Sequence, residues 1–320
     1  MYNKISTASM TKDEWLKLRK SGIGGSDAGA VCCVNPYISP IKVFIDKTSD
    51  DLSFVDNEAV RIGHDLEQYV ADRFREATGL KTRKSNFMYR STRYPFMIAD
   101  IDRFIIGEDA GLECKTVSAY NSDKWADDKI PPHYKIQCYH YMAVTGKKAW
   151  YIAAVILGKE FVYHKLLWDD NVIEGLINTE ENFWNNYVLT KTLPPPDGSK
   201  SYNDTINKCF ISTKKSNAIK LVGFDEKLKH RKIILDKISA LQETQMRIEQ
   251  EIKLYMKDNE YAYNDDFAVS WNQFSSARLD TKRIKAEQPE IYKRYLKTSN
   301  CRRFEIKEVS KNEQESFQTA

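Results

Sequence analysis

Between Met97 and Val117 the chain alternates in the two-residue rhythm of a strand, breaks at the turn GEDAG, and alternates again. That is a hairpin pattern, with Met97 to Ile106 as one strand and Gly111 to Val117 as the next. Its neighbours make it restrictive. Upstream, residues 57–78 carry Ile62, Leu66, Tyr69, Val70 and Phe74 at helical spacing, closed by Gly79 as a C-cap. Downstream, residues 132–145 read as a helix with proline near its start, 149–156 and 160–167 as two strands, and 170–190 as a helix. Helix, hairpin, helix, strands and helix in that order predict an α/β core, a central mixed sheet flanked by helices.

A length of 320 residues calls for two domains, or one with an appendage. The stretch TLPPPDGSKSYND at 192–204 is a linker by composition, so the boundary is placed between 198 and 199. Beyond it, residues 225–257 form a long helical pattern. Ile234, Ile238, Leu241, Gln245, Ile248, Ile252 and Tyr255 make a heptad seam, interrupted by the polar Gln245. The seam could dimerise; packing on the chain's own body is the favoured expectation. The tail reads as a small β-rich unit (FAVSW, RFEIK) around the basic helix TKRIKAEQPEIYKRYLK, and the last dozen residues are expected to fray. Near the start, Thr11 and Glu14 have the spacing of a capping box for a short helix over 11–20.

A formal charge of +4, with 29% charged residues nearly balanced in sign, fits a nucleic-acid partner without demanding one. No signal peptide opens the chain and no apolar run approaches a membrane span, so a cytoplasmic protein without a membrane partner is expected. The six cysteines include no CxxC pair, and the five histidines no HExxH, which argues against disulfides and structural zinc.

Glu113 and Lys115 lie two apart on a strand and so share one face, with Cys114 on the other. Across the hairpin Asp102 can reach the same face, as can Asp100, which has the same parity. Two carboxylates converging with one ammonium make a poor core and a good divalent-metal site, to which the Cys114 backbone carbonyl can add a ligand. The lysine can then hold or deprotonate an attacking water. A solvated face of a hairpin would match this spacing as well. In WLKLRKSGIGGSDAGAV, Arg19 ends a helix and Ser26 follows two glycines that open another. This arrangement suits a phosphate, or is simply a turn capped by Ser26. Gln137, His140 and Tyr141 share a helix face at i, i+3 and i+4.

In this order, W-x2-LR with GIGGSDA, G-x3-E at 63–67, A-x2-D at 99–102, GLECKT, Q-x3-Y-M-x-VTG and AWY resemble the YqaJ-like viral recombinase exonucleases. That family is related to phage lambda exonuclease within the PD-(D/E)xK nuclease superfamily. The likeness spans roughly 12–168 and implies a nuclease core in residues 1–198, with 199–320 as a helical extension and a small basic α+β unit. It further implies Asp102 rather than Asp100 as the hairpin acid, Glu113 and Lys115 as the ExK pair, and Glu67 as a helical acid assisting a second metal. Gln137 would brace the site, and Arg19 with Ser26 would hold a terminal 5′-phosphate. The implied reaction is 5′→3′ digestion of one strand of linear duplex DNA with two Mg²⁺ ions, Mn²⁺ substituting. It would supply 3′ tails to a single-strand annealing protein, in a ring-shaped homo-oligomer such as a trimer, encoded by a phage or prophage. Arg103 departs from the family pattern, standing where many members carry glycine. The rival expectations are an endonuclease of the same superfamily and a non-catalytic DNA-binding protein on the same fold.

Overall fold

The computed structural model describes residues 1–52, 57–210, 219–298 and 302–308. The chain divides into two compact units, Met1–Phe210 and Ile211–Ala320. The first unit opens with β1 (Tyr2–Ser6), α1 (Lys12–Lys20), α2 (Gly25–Val31), α3 (Pro40–Thr48) and α4 (Glu58–Thr78). Short strands follow: β2 (Thr82–Lys84), β3 (Phe87–Ser91), β4 (Ile98–Asp100) and β5 (Arg103–Ile105). Then come β6 (Ala110–Val117), a 3₁₀ segment Ala119–Trp125, α5 (Pro132–Thr145), β7 (Ala149–Ile156), β8 (Glu160–Leu167), α6 (Asp170–Phe183) and α7 (Lys200–Cys209).

The main sheet has the order β2-β5-β6-β7-β8. Only β6 and β7 run parallel, because α5 carries the chain back between them; the other pairs are antiparallel. The expected mixed sheet flanked by helices is thus the one observed. Strand β7 is buried on both faces, which explains its nearly unbroken apolar sequence. Trp150, Ile152 and Ala154 join the cluster that includes Cys138, Tyr141 and Met142 of α5. Tyr151 and Ala153 join Val70, Ala71 and Phe74 of α4 on the opposite face. Phe74 is fully buried, a contribution of roughly 1.5–3 kcal/mol. The helix that presents it starts on the Asn57 side-chain cap and ends at Gly79, whose φ of 73° favours glycine. Gly111 is required for a different reason: a Cβ there would lie 2.4 Å from the Trp150 indole.

Met97 to Ile106 is not one strand. Its first part, β4, belongs to a separate antiparallel sheet of order β1-β3-β4, and its last part, β5, to the main sheet. The chain changes partners across Ile101 and Asp102, so the parity that made Asp100 and Asp102 equivalent does not survive. Alternation reports which side chains are buried; it carries no record of which strand supplies the hydrogen bonds.

The boundary expected at 198/199 meets the Ser199 N-cap of α7, and that helix stays with the first unit. Tyr202 is buried and donates its hydroxyl to the Pro194 carbonyl at 2.6 Å, while Ser39 N–H donates to Ser201 Oγ. In the second unit α8 (Asp225–Met256) spans the expected long helix, followed by β9 (Tyr261–Tyr263) paired with β10 (Ala268–Ser270). The basic helix is two helices, α9 (Thr281–Glu287) and α10 (Pro289–Tyr295), because Pro289 cannot donate an N–H to continue the first. RFEIK forms no strand. Within the second unit the side chains of the heptad seam, Ile234, Ile238, Leu241, Ile248, Ile252 and Tyr255, are exposed. The last dozen residues lie outside the described ones, so the expected fraying does too. No described helix is long and apolar enough to cross a membrane.

Candidate active site

The partner switch at Ile101–Asp102 builds the site. Pairing of β5 with β6 ends at Arg103↔Leu112, leaving the next stretch of the β6 edge without a strand beside it. Asp102 fills that place: its Oδ2 accepts the Cys114 N–H at 2.8 Å. In a strand a residue's carbonyl leaves by the same edge as its N–H, so the Cys114 carbonyl is directed to this edge as well. The Cys114 side chain turns to the α4 face. Glu113 and Lys115 turn to the α5 face, where Gln137 meets them.

Glu113 is buried, and its Oε1 accepts from Lys115 Nζ at 2.6 Å and from Gln137 Nε2 at 2.8 Å. Gln137 Oε1 in turn accepts from Lys115 at 3.1 Å, and its Nε2 also reaches the Tyr141 hydroxyl at 2.8 Å. One glutamine therefore fixes the carboxylate, the lysine and a buried phenol together. The Lys115 ammonium sits 4.5 Å from the centre of the Tyr134 ring. Burial alone would lower the Lys115 pKa; the adjacent Glu113 carboxylate outweighs it, the pKa is raised, and the side chain is an ammonium at neutral pH. Burial first, and the Glu113 carboxylate second, push Asp102 well above the usual carboxylate range.

Glu113 Oε2 is buried with no hydrogen-bond partner among the described residues. Such an orphan next to a second carboxylate that resists ionising marks a place short of positive charge. Among the described residues no group of three or more carboxylate, imidazole or thiol side chains forms a metal cage. Magnesium does not need one, since it is held by one or two carboxylates with water and substrate phosphate completing its shell. Asp102, Glu113 and the Cys114 carbonyl fit that donor set.

Asp100, Asp102, Glu113, Gln137 and Tyr141 line one cleft together with Arg19 and Ser26. Arg19 donates to Ser26 Oγ at 2.6 Å and pairs with Asp27 at 3.6 Å. Asp27 is held by Lys47 at 2.7 Å and accepts the Gly24 N–H, which fixes the glycine turn. Burial opposes its ionisation, but Lys47 and then Arg19 prevail and hold it at about 2. Gly25 must be glycine, since a Cβ would meet the Tyr141 ring at 2.4 Å. Glu67 does not line this cleft. Its Oε1 is taken by Arg103 at 3.1 Å and approached by Lys84 at 3.5 Å. Arg103, the residue that departs from the family pattern, is buried, bonds Gln68 as well, and ties α4 to β5.

Over 308 residues, 95% of this chain and 96% of the other, the sequence is 38% identical to the YqaJ protein of Bacillus subtilis (strain 168). Residues 14–148 match the YqaJ-like viral recombinase domain. The chain belongs to the YqaJ-like viral recombinase family. Among solved structures, LHK-Exo in complex with dAMP is similar over 56% of this chain and 93% of its own, with TM-score 0.49 and 16% identity. The alkaline exonuclease LHK-Exo from Laribacter hongkongensis gives TM-score 0.47 and 15% identity over the same shares.

The YqaJ-like match takes in every residue of the cleft. Four contacts in and around it were not legible from motif spacing. Trp15 Nε1 donates to Asp100 Oδ2 at 3.0 Å, so Asp100 has a fixed indole partner that Asp102 lacks. Tyr134 carries Lys115, and Arg103 takes Glu67. His140 leaves the Gln137 face for the core, where Nδ1 meets Glu180 Oε1 at 2.7 Å and Nε2 meets the Ile98 carbonyl at 2.8 Å. Only the W-x2-LR spacing hinted at the first, and nothing in the sequence paired His140 with Glu180.

Proposed function

We propose that this protein is a metal-dependent DNA exonuclease that digests one strand of linear duplex DNA from the 5′ end, leaving a 3′ tail for a single-strand annealing protein. The observation that carries the reading is the meeting of Asp102, Glu113 and Gln137 in one cleft, with Lys115 bonded to both Glu113 and Gln137 and Glu113 Oε2 buried without a partner among the described residues. Membership of a viral recombinase family supports a DNA substrate and a role in recombination. Two Mg²⁺ ions, or Mn²⁺ in their place, would be held by Asp102, Glu113 and the Cys114 carbonyl, with Glu67 available to the second if Arg103 releases it. A divalent ion there supplies a nucleophilic water at neutral pH and offsets charge on the phosphate.

The chain's own residues do the rest. Gln137 fixes the Glu113 carboxylate and the Lys115 ammonium through hydrogen bonds to both. Lys115, protonated and braced on Tyr134, donates to a phosphate oxygen or to the water, and neutralises charge as it develops. Arg19, Ser26 and the N–H groups of the glycine turn grip the terminal 5′-phosphate. The protein acts in the host cytoplasm, as a phage or prophage product, and as a homo-oligomer such as a ring-shaped trimer.

The test is a digest of linear duplexes with phosphorylated or free 5′ ends, beside circular DNA, in Mg²⁺ or chelator. Loss of the phosphorylated linear strand in Mg²⁺ alone is expected. Cutting of circular DNA would identify an endonuclease instead, and binding without any cleavage a non-catalytic protein.

A further inference from the structure

Of the 32 residues of α8 only Met256 is buried. A helix takes most of its stability from packing an apolar face against something else. Here the face exists and is open: Ile234, Ile238, Leu241, Ile248 and Ile252 follow one another along a single seam, all of them exposed. With Arg231 and Tyr255 at its two ends, the seam is about 36 Å long at 1.5 Å per residue.

The seam is complementary to itself when two copies run antiparallel about Glu243. Ile238 then faces the partner's Ile248, Ile234 faces the partner's Ile252, and Leu241 faces the partner's Gln245. The charges beside the seam agree with this register. Lys237 and Glu251 flank the Ile238 and Ile248 positions, so each Lys237 meets the partner's Glu251, twice in every pair. Ion pairs at such flanking positions set the orientation of a coiled coil. One turn away on its own helix Lys237 has only Ile233, Ile234, Ala240 and Leu241, so no carboxylate there answers its charge. At the ends, Arg231 faces the partner's Tyr255, a cation against an aromatic ring.

The parallel register has none of these matches. It stacks Arg231 on the partner's Arg231, and sets Lys237 beside the partner's Gln242 and Glu251 beside the partner's Met256. A polar residue in the middle of a seam can fix a parallel register by pairing with its own copy. Gln245 is engaged otherwise: its Nε2 donates to Glu249 Oε1 of the same helix at 2.9 Å.

We propose that α8 is a dimerisation arm, which pairs antiparallel with α8 of a second copy of this chain across a two-fold axis near Glu243. The contact is isologous, whereas closing a ring takes a head-to-tail contact, so the α8 pair is a separate interface. It stands whether or not the cleft hydrolyses DNA.

The full-length chain carrying Ile238→Cys with Ile248→Cys is oxidised, digested with trypsin and mapped by mass spectrometry, beside the wild type with its native cysteines. Trypsin cuts after Lys237, Arg247 and Lys253, so the two positions fall in different peptides. They lie about 15 Å apart along one helix, too far for a bridge within a chain. A disulfide from position 238 of one chain to position 248 of another is expected. Sedimentation over a range of concentrations then reads the charges. Lys237→Glu and Glu251→Lys should each weaken the pairing about tenfold, since two contacts per dimer turn from attraction to repulsion, and the two changes together should restore it. Disulfides joining 238 to 238 and 248 to 248 would show a parallel pair and overturn the proposal. So would the absence of any link beyond those of the wild type, single charge variants that associate like the wild type, or a combined variant as weak as either single one.

Discussion

Replacing His140 by leucine should unfold this protein more readily than its size suggests, and replacing Glu180 as well should restore part of the loss. Both side chains are fully buried. Both His140 nitrogens face acceptors, the Glu180 carboxylate and the Ile98 carbonyl, so the ring satisfies both only while the pair retains its second proton. Removing His140 alone strands a buried carboxylate, a change that costs about 3–5 kcal/mol. For a unit of this size that lowers the melting temperature by roughly 6–20 °C. His140→Leu with Glu180→Leu removes the stranded charge and leaves the Ile98 carbonyl unpaired, at about 1–3 kcal/mol. The double variant should therefore be the more stable of the two. Burial opposes charging of His140, but the Glu180 carboxylate outweighs it and the pKa is raised. With a raised folded pKa, the stabilisation is complete below about 6.5, the ordinary histidine value, and is lost as pH rises through the folded value. The wild type's advantage over the double variant should accordingly shrink in alkaline buffer. Urea melts of the three proteins from pH 6 to pH 9, followed by tryptophan fluorescence, measure this. A double variant as unstable as the single, or an advantage that grows with pH, would refute the shared-proton pair.

Three further outcomes are expected. Lys115→Ala, Glu113→Ala and Asp102→Asn should each abolish nuclease activity while the circular dichroism spectrum stays that of the folded protein; Asp100→Asn should lose less, since its carboxylate already serves the Trp15 indole. Near-normal cleavage by the first three variants would remove them from the chemistry. Arg19→Ala should slow digestion of 5′-phosphorylated ends by roughly ten- to a hundredfold, the cost of a charge-assisted contact, and barely affect free 5′ ends. An equal slowing of both would assign Arg19 to folding or general DNA binding. Ile238→Glu with Ile248→Glu, on the exposed seam of α8, should reduce the particle mass seen by light scattering if that seam joins copies of the chain; an unchanged mass would show that the seam holds no homo-oligomer contact.

What the sequence disclosed follows from which physical signals are local. Strands β7 and β8 and helices α4, α5 and α8 were legible because burial, helix capping and turn chemistry leave their marks within a dozen residues. The amino-terminal strand β1 was not. It is short and mostly exposed, and only its pairing with β3, far along the chain, makes it a strand. The seam of α8 shows the converse: the periodicity was legible, and what covers it was not, because a heptad pattern is the same whether its partner lies in the same chain or another.

The two acids of the hairpin mark the limit within the site. By alternation Asp100 and Asp102 were interchangeable, and only motif spacing separated them. In the folded chain they differ in kind. Asp100 ends a strand of the small sheet and bonds an indole; Asp102 stands in the gap between two sheets and caps the open edge of β6 through the Cys114 N–H. The geometry of the proposed metal site therefore depends on a strand that stops early. A strand running unbroken from 97 to 106 would satisfy the Cys114 N–H with backbone and turn its carbonyl into a ladder bond, leaving the carboxylates no shared edge to meet on. Arg103 belongs to the same argument. Flagged as a departure from the family pattern, it starts β5 immediately after the break and anchors it by burying its guanidinium against Glu67 and Gln68. The same bond occupies the acid expected to serve a second metal. Loading of the proposed second position would require Glu67 to exchange Arg103 for a cation, so Arg103→Gly should free Glu67 for metal while loosening β5. Calorimetric titration of Mn²⁺ into the wild type and this variant would separate the two effects: tighter binding in the variant is expected, and unchanged binding would show that Glu67 takes no part in holding metal.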